Sequence, residues 1–199
     1  MLNILLTGFE AFLGMKSNPT EVIVRNLDGE TINGNKIIGK VLPVDFTKTS
    51  SVILEHVEEH QPSVVISLGL AAGRNRITPE RIAINCMDGE ADNAGNQYDG
   101  QKILEDAPDA YFSTLPIKNM VAKLQEHNLP AKISNTAGTY LCNQTMYTVR
   151  HHIETNKLNM IAGFVHIPAH HELATVNSKL PSWSVKDLEA AVKVIIGEI

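Results

Sequence analysis

The chain has 199 residues, a formal net charge of −5 and 43% hydrophobic residues. This length and composition predict one globular domain, residues 1–199, with a sizeable core. The acidic balance and the absence of any lysine or arginine run argue against a nucleic-acid or anionic-membrane partner.

Strand-like apolar segments alternate with segments of helical spacing along the chain. The expected strands are Leu2–Thr7, Lys36–Val44, Ser63–Leu70, Arg81–Met87, Ala110–Thr114, Ala131–Ser134 and Met160–Ile167. The expected helices are Pro19–Leu27, Thr47–His60, Ile117–His127, Thr145–Glu154 and Val185–Glu198. Near-continuous apolar strands between helices are typical of a mainly parallel sheet buried on both faces. We therefore expect an α/β fold with three α/β/α layers around a mostly parallel or mixed sheet.

The chain also contains one long irregular segment, and it shows no sign of a membrane-spanning or signal segment. The longest irregular stretch, Asp88–Asp109, is rich in Asp, Asn and Gly, and loops of that length are usually functional or mobile. No apolar stretch is long enough to span a bilayer, and the N-terminus lacks the pattern of a signal peptide. We expect a cytoplasmic protein with no membrane partner.

Cys142 stands where a loop becomes a helix. Thr136-Ala137-Gly138-Thr139 is loop chemistry, and helical spacing follows from Thr145. A thiol at a helix N-terminus faces unsatisfied N–H groups and the positive end of the helix dipole, which favour the nucleophilic thiolate. Position alone leaves open the alternative of an inert core cysteine.

The other cysteine and the histidines indicate no metal site. Cys86 lies within an alternating strand pattern and is most simply a core residue. Eight histidines are scattered, and the neighbouring pairs His151-His152 and His170-His171 do not face one way on a helix. We expect no metal and no cofactor.

Two polar residues at strand ends complete a possible catalytic set with Cys142. His166 lies near the end of the Met160–Ile167 strand, and Glu80 opens the Arg81–Met87 strand. Ligands of such sheets bind beyond the carboxyl ends of the strands. A thiol, an imidazole and a carboxylate can act as nucleophile, base and orienting acid. Taken singly, His166 and Glu80 could equally be structural, and Arg74 could be an anion or substrate contact or an exposed loop charge.

Several long motifs then identify a family. They are Leu5 to Phe12, Gly69 to Arg74, Ile77 to Asn85, Tyr111 to Lys118, Ser134 to Asn143 and Gly163 to Pro168. With these motifs in this order, the chain resembles pyroglutamyl-peptidase I, the cysteine peptidases that remove N-terminal pyroglutamate. The resemblance covers nearly the whole chain.

The resemblance implies a fold, a site and a substrate. The fold would be of the phosphorylase/hydrolase-like kind, often assembled as a homotetramer, and no metal or cofactor would be needed. The catalytic residues would be Glu80, Cys142 and His166. The pyroglutamate pocket would include residues at Phe9, Phe12, Asn18, Leu70 and Leu141, with Asn18 meeting the lactam. The partner would be a small peptide with N-terminal pyroglutamate.

Three departures from the family pattern motivate alternatives. Leu70 stands where many bacterial relatives have glutamine, Leu141 where phenylalanine is frequent, and Glu90 within Gly89–Asn93 about where arginine is expected. One alternative is therefore a catalytically weakened protein that binds pyroglutamate or peptides on the same fold. A nucleoside-phosphorylase-like enzyme is a weaker alternative from fold class alone, because no glycine-rich phosphate loop leads into a helix.

Overall fold

The computed structural model describes residues 1–199. Its strands, numbered in chain order, are β1 (Asn3–Phe9), β2 (Thr31–Ile32), β3 (Asn35–Leu42), β4 (Val64–Leu70), β5 (Thr78–Pro79), β6 (Ile82–Ile84), β7 (Met87–Asp88), β8 (Asp99–Gln101), β9 (Ala110–Phe112), β10 (Ile161–Ile167), β11 (Ala169–His170) and β12 (Ser182–Trp183). Its helices are α1 (Pro19–Leu27), α2 (Thr49–His60), α3 (Ile117–Glu126), α4 (Leu141–Asn156), α5 (His171–Val176) and α6 (Val185–Ile196). No helix has both the length and the apolar composition needed to cross a membrane.

Six strands form a mixed central sheet in the order β2-β3-β1-β4-β10-β5. The four middle strands are parallel to one another, while the edge strands β2 and β5 are antiparallel to their neighbours. The prediction of a mostly parallel or mixed sheet is confirmed.

Helices cover both faces of this sheet. Apolar residues of α1, α3 and α6 pack with one set of strand side chains, and those of α2 and α4 pack with the other. Side chains alternate between the two faces along β1, so that Ile4 and Leu6 join the first core and Leu5 joins the second. The three-layer α/β/α prediction is confirmed, and it explains why the strands read as continuous apolar runs.

The predicted strand at Ala131–Ser134 is wrong as a regular element. This segment forms only two isolated parallel bridges, Ile77 with Ala131 and Glu80 with Ser134. The ladder is interrupted because Pro79, which lies between the two bridges, has no N–H to donate to the neighbouring chain. The bonds on either side survive, from Lys132 N to Ile77 O at 3.1 Å and from Ser134 N to Pro79 O at 3.0 Å.

The predicted strand at Arg81–Met87 is shorter than expected. Ile82–Ile84 pairs with β9, and Met87 already belongs to the separate strand β7, which pairs with β8. The chain then bends at Asn85, whose side-chain oxygen accepts hydrogen bonds from the N–H groups of Ile103 and Leu104 at 2.8 and 3.0 Å. Cys86 consequently lies outside any strand and is only half-buried, so its interpretation as a core residue is wrong.

The long segment Asp88–Asp109 is mostly irregular, as expected, but a buried carboxylate anchors it. Asp92 accepts hydrogen bonds from the N–H groups of Phe46, Ala94 and Asn96 at 2.7 to 2.9 Å. These bonds hold the segment against the loop that follows β3, on the side of the sheet where the strands β1, β3 and β4 end.

Candidate active site

The sheet brings Glu80 and His166 together at one edge. In the antiparallel pairing of β10 with β5, His166 lies opposite Thr78, and the Glu80 N–H donates to the Phe164 carbonyl at 2.9 Å. This register places Glu80 Oε1 2.7 Å from His166 Nδ1. Because an ionised carboxylate only accepts hydrogen bonds, Nδ1 carries the shared proton and Nε2 is left for other chemistry.

Cys142 reaches the same histidine from the opposite side. It is the second residue of α4, and its sulfur packs over Gly69, where a Cβ atom would lie only 2.8 Å from Sγ. Gly69 is the direct neighbour of His166 in the pairing of β4 with β10. The thiol, the imidazole and the carboxylate therefore lie side by side at the carboxyl ends of β4 and β10.

The start of α4 is fixed in place by side chains that follow the cysteine. Asn143 is fully buried, accepts a hydrogen bond from Ile84 N and donates to the carbonyl oxygens of Ile84 and Cys86. Gln144 donates to the Phe46 carbonyl at 2.9 Å. No side chain caps the helix at Tyr140, so the first N–H groups of α4 remain available beside the cysteine sulfur.

Charges in this group stabilise one another. Burial opposes protonation of His166, but the Cys142 sulfur and the Glu80 carboxylate outweigh that effect and raise the pKa of His166 to about 9. Burial likewise opposes ionisation of Glu80, yet the hydrogen bond and charge of His166 hold the pKa of that carboxyl below its ordinary value. The arrangement therefore favours an imidazolium at His166 beside a carboxylate at Glu80, and together with the Cys142 sulfur these groups form a row of three.

Arg74 is a fourth member of this row that the sequence analysis did not assign. Its Nη1 donates to Glu80 Oε1 at 2.6 Å and to Thr78 Oγ1 at 2.5 Å. Glu80 has no solvent exposure, whereas the Arg74 side chain is one-third exposed. The alternatives of a substrate contact or a free loop charge are therefore replaced by an ion pair with Glu80.

A narrow cavity opens on the other side of Cys142. It is lined by Phe9, Phe12, Asn18, Val44, Leu70, Tyr140, Leu141 and Cys142. All five residues predicted for a pyroglutamate pocket are among them, and the sequence analysis missed only Val44 and Tyr140. The rings of Phe12 and Tyr140 lie with their centroids 6.3 Å apart. Apart from Asn18, these walls offer apolar contact rather than charge.

Asn18 also has a structural task in this wall. Its Oδ1 accepts hydrogen bonds from Thr20 N at 3.0 Å and Thr20 Oγ1 at 2.9 Å, which caps the N-terminus of α1. Its Nδ2 donates to the Glu10 carbonyl at 3.0 Å. An amide nitrogen carries two hydrogens, so one donor of Asn18 remains for a ligand.

Comparison with known proteins identifies the family of this chain. The family model described as "Pyroglutamyl peptidase" matches residues 2–199. The chain belongs to the pyroglutamyl peptidase family. A relative named pyrrolidone-carboxylate peptidase, from Oceanobacillus iheyensis, is 56% identical over 197 residues, which are 99% of this chain and 98% of the relative.

Solved structures give the same result. A mutant pyrrolidone carboxyl peptidase from Pyrococcus furiosus superposes with a TM-score of 0.95 at 44% identity, over 98% of this chain and 97% of the other. The pyrrolidone carboxyl peptidase from Thermococcus litoralis superposes with a TM-score of 0.95 at 38% identity, over 100% of this chain and 93% of the other. The fold predicted from the resemblance is confirmed, and all the proteins named here are peptidases, so the nucleoside-phosphorylase-like alternative gains no support from them.

One group outside the family motifs was overlooked in the sequence. His56 and His60 are four residues apart within α2, with Glu59 between them, so the three side chains share one face of the helix. The description of the histidines as scattered, with no indication of a metal site, is wrong at this position. The helical interval itself was the signal that could have found it.

The close contact at Gly69 gives a first test. In Gly69→Ala, the new methyl group would meet the Phe164 ring at 2.6 Å and the Cys142 sulfur at 2.8 Å. We expect the free energy of unfolding to fall by about 1–3 kcal/mol, as for other overpacked sites, and Cys142 to react more slowly with iodoacetamide. Urea denaturation and mass spectrometry of the labelled protein measure the two effects.

Gly73→Ala is the matched control, because a Cβ atom at Gly73 would meet nothing within 4 Å. Wild-type stability and labelling rate in both variants would show that Cys142 does not depend on this packing.

Proposed function

We propose that this member of the family hydrolyses the bond between an N-terminal pyroglutamyl residue and the rest of a small peptide. Cys142 is the nucleophile, His166 is the general acid and base, and Glu80 orients His166. The observation that carries the proposal is the buried pair of Glu80 and His166 at 2.7 Å, with Cys142 between that pair and an apolar cavity.

The reaction begins with attack of the Cys142 thiolate on the carbonyl carbon of the pyroglutamyl residue. A bond forms between sulfur and carbon, and negative charge moves to the carbonyl oxygen, where the free N–H groups at the start of α4 can receive it. His166 then donates its proton to the nitrogen of the departing peptide, and the C–N bond breaks.

The second half of the reaction releases pyroglutamate. The acyl group is held as a thioester on Cys142, and neutral His166 takes a proton from a water molecule that attacks it. The C–S bond breaks, free pyroglutamate leaves, and the thiolate and imidazolium are restored. Glu80 stays ionised throughout and stabilises the positive charge on His166. No step requires a metal or a cofactor.

The cavity beside Cys142 supports the choice of substrate. A lactam ring is neutral and flat, which suits the apolar chemistry of Phe9, Phe12, Leu70 and Leu141 beside Cys142. A free N-terminal glutamate would bring an ammonium group and a carboxylate into the same apolar walls, and burial of unpaired charge is costly. The remaining donor of Asn18 is our choice for the contact with the lactam.

The nucleophile is tested by a pair of cysteine variants. We expect Cys142→Ala to lose about 10³-fold or more of the rate of hydrolysis of pyroglutamyl-aminomethylcoumarin, because no other group can form the thioester. Cys86→Ala is the matched control and should keep wild-type turnover, since Cys86 lies outside the row of charges. Equal activity of Cys142→Ala and wild type would overturn the mechanism.

The same assay separates the proposal from the alternative of a catalytically weakened binding protein. That alternative predicts that pyroglutamate raises the melting temperature of the wild-type protein while no turnover and no acyl-enzyme is detected. Efficient hydrolysis excludes it.

Arg74 is assigned the role of a positioning residue that keeps Glu80 charged. In Arg74→Met, loss of the guanidinium should raise the pKa of Glu80. On acidification, the variant should therefore lose activity at a higher pH than the wild type does. We expect kcat to fall about tenfold or more near neutral pH, because Glu80 would no longer hold His166 in register. Arg74→Lys, which restores the charge, should recover part of the loss.

The pH profile of kcat/KM is the measurement. In the wild type it should decline above about pH 9, where His166 loses its proton and the ion pair with Cys142 is broken. If Arg74→Met is less stable but its pH profile declines on the acidic side at the same pH as in the wild type, Arg74 has only a structural role.

We also propose that the chain assembles as a homo-oligomer, the tetramer that its resemblance implies. Support comes from apolar side chains on one face of the β6–β9 pair, where Phe112 is 63% exposed and Ile84 is 37% exposed. Such a patch is costly to leave in water. Sedimentation of the wild type as a monomer at micromolar concentration would contradict this.

A further inference from the structure

The last turn of α2 carries three side chains with the chemistry of metal ligands. His56, Glu59 and His60 each offer one donor atom, and these atoms lie within 4.8 Å of one another. Glu59 Oε2 is 3.8 Å from His56 Nδ1 and 3.5 Å from His60 Nε2. The cluster is separate from Cys142, His166 and Glu80, none of which is on α2.

One ring nitrogen of each histidine is unpaired in the protein. His56 Nδ1 and His60 Nε2 are hidden from solvent and lack a hydrogen-bond partner. Buried polar atoms are nearly always paired, so two such atoms on adjacent turns call for a ligand.

The spacing of the donors fits a transition metal. With bonds of about 2.0–2.1 Å in tetrahedral geometry, two ligand atoms of zinc lie about 3.4 Å apart. The distances to Glu59 Oε2 need to shorten by only a few tenths of an ångström to match. The two rings are nearly parallel, 14° apart, with centroids 6.1 Å apart, so both present their edges on the same face of α2, and the side chains must rotate to bring both nitrogens to one ion.

We propose that His56, Glu59 and His60 form a binding site for a divalent transition metal. Two imidazoles and one carboxylate suit zinc, nickel or copper better than magnesium or calcium, which prefer oxygen ligands. Water would complete the coordination, because Glu59 lies on the exposed side with 63% of its side chain in solvent.

The bound ion would stabilise the end of α2 and take no part in catalysis. His60 is the last residue of the helix, and Gln61 follows it in the left-handed conformation with φ of 43°. An ion shared by His56 and His60 ties the last two turns together in the folded state alone, so it raises the stability of that state. Peptidase activity should therefore be the same in proteins that carry or lack this cluster.

Nickel is the probe for the test, because it prefers imidazole and is not redox-active under assay conditions. Titration calorimetry is done on Cys142→Ala, which removes the active-site thiol as a competing ligand. We expect one equivalent of Ni²⁺ to bind, with affinity at least tenfold weaker in His56→Gln and in His60→Gln on that background. His127→Gln, at an exposed histidine after α3, is the matched control and should bind like its parent.

Two further measurements complete the test. In proteins that keep Cys142, Ni²⁺ should raise the melting temperature by several degrees unless His56 is replaced, while the substitution leaves peptide hydrolysis unchanged. Glu59→Gln changes only an exposed side chain, so it cannot fail to fold for lack of a core residue, and it too should bind Ni²⁺ more weakly. The proposal is overturned if no equivalent of Ni²⁺ binds, or if His56→Gln and Glu59→Gln bind it as tightly as the parent.

Discussion

The buried charge of Glu80 is the constraint on which the rest of the site depends. A carboxylate without solvent exposure is stable only when cations and hydrogen-bond donors surround it. Arg74 and His166 both meet this need at a single oxygen, Oε1. The second oxygen, Oε2, has no hydrogen-bond partner, so the stabilisation of this carboxylate by side chains is concentrated at Oε1.

This constraint explains the unusual edge of the sheet. β5 has only two residues, yet its antiparallel register against β10 is what aligns Glu80 with His166. Pro79 interrupts the bridges to Ala131–Ser134 but leaves the pairing with β10 intact, because its carbonyl faces Ser134 while the N–H of Glu80 donates to Phe164 in β10. At this edge, β5 therefore lacks regular hydrogen bonding to the Ala131–Ser134 segment, while its pairing with β10 positions the Glu80 carboxylate.

Whether a feature of the fold or of the site could be predicted from the sequence depends on how far apart in the chain the interacting residues lie. The helix that starts beside Cys142 and the four parallel strands were predictable, because local loop chemistry and apolar runs encode them. The partner of Arg74 was not predictable, since it depends on how the loop after β4 folds over β5. Asn85 ended a predicted strand through bonds to residues 103 and 104, which no local pattern reveals. The pair His56 and His60, in contrast, was visible in the sequence as a helical interval.

Cys142 lies at the boundary between two environments of opposite character. On one side is the row of charges that ends at Arg74, and on the other is an apolar cavity whose only polar side wall is Asn18. Gly69 makes this position possible, because any larger residue would push the sulfur away from the imidazole. The proposed substrate has two parts that match these two environments. Its neutral ring would lie among the aromatic walls, and the departing nitrogen of its peptide bond would lie next to His166. In the proposed mechanism, reaction chemistry and ring recognition are thus supplied by different sets of residues, so a change at Leu70 or Leu141 alters the walls of the cavity without touching the ion pair of Glu80 and His166.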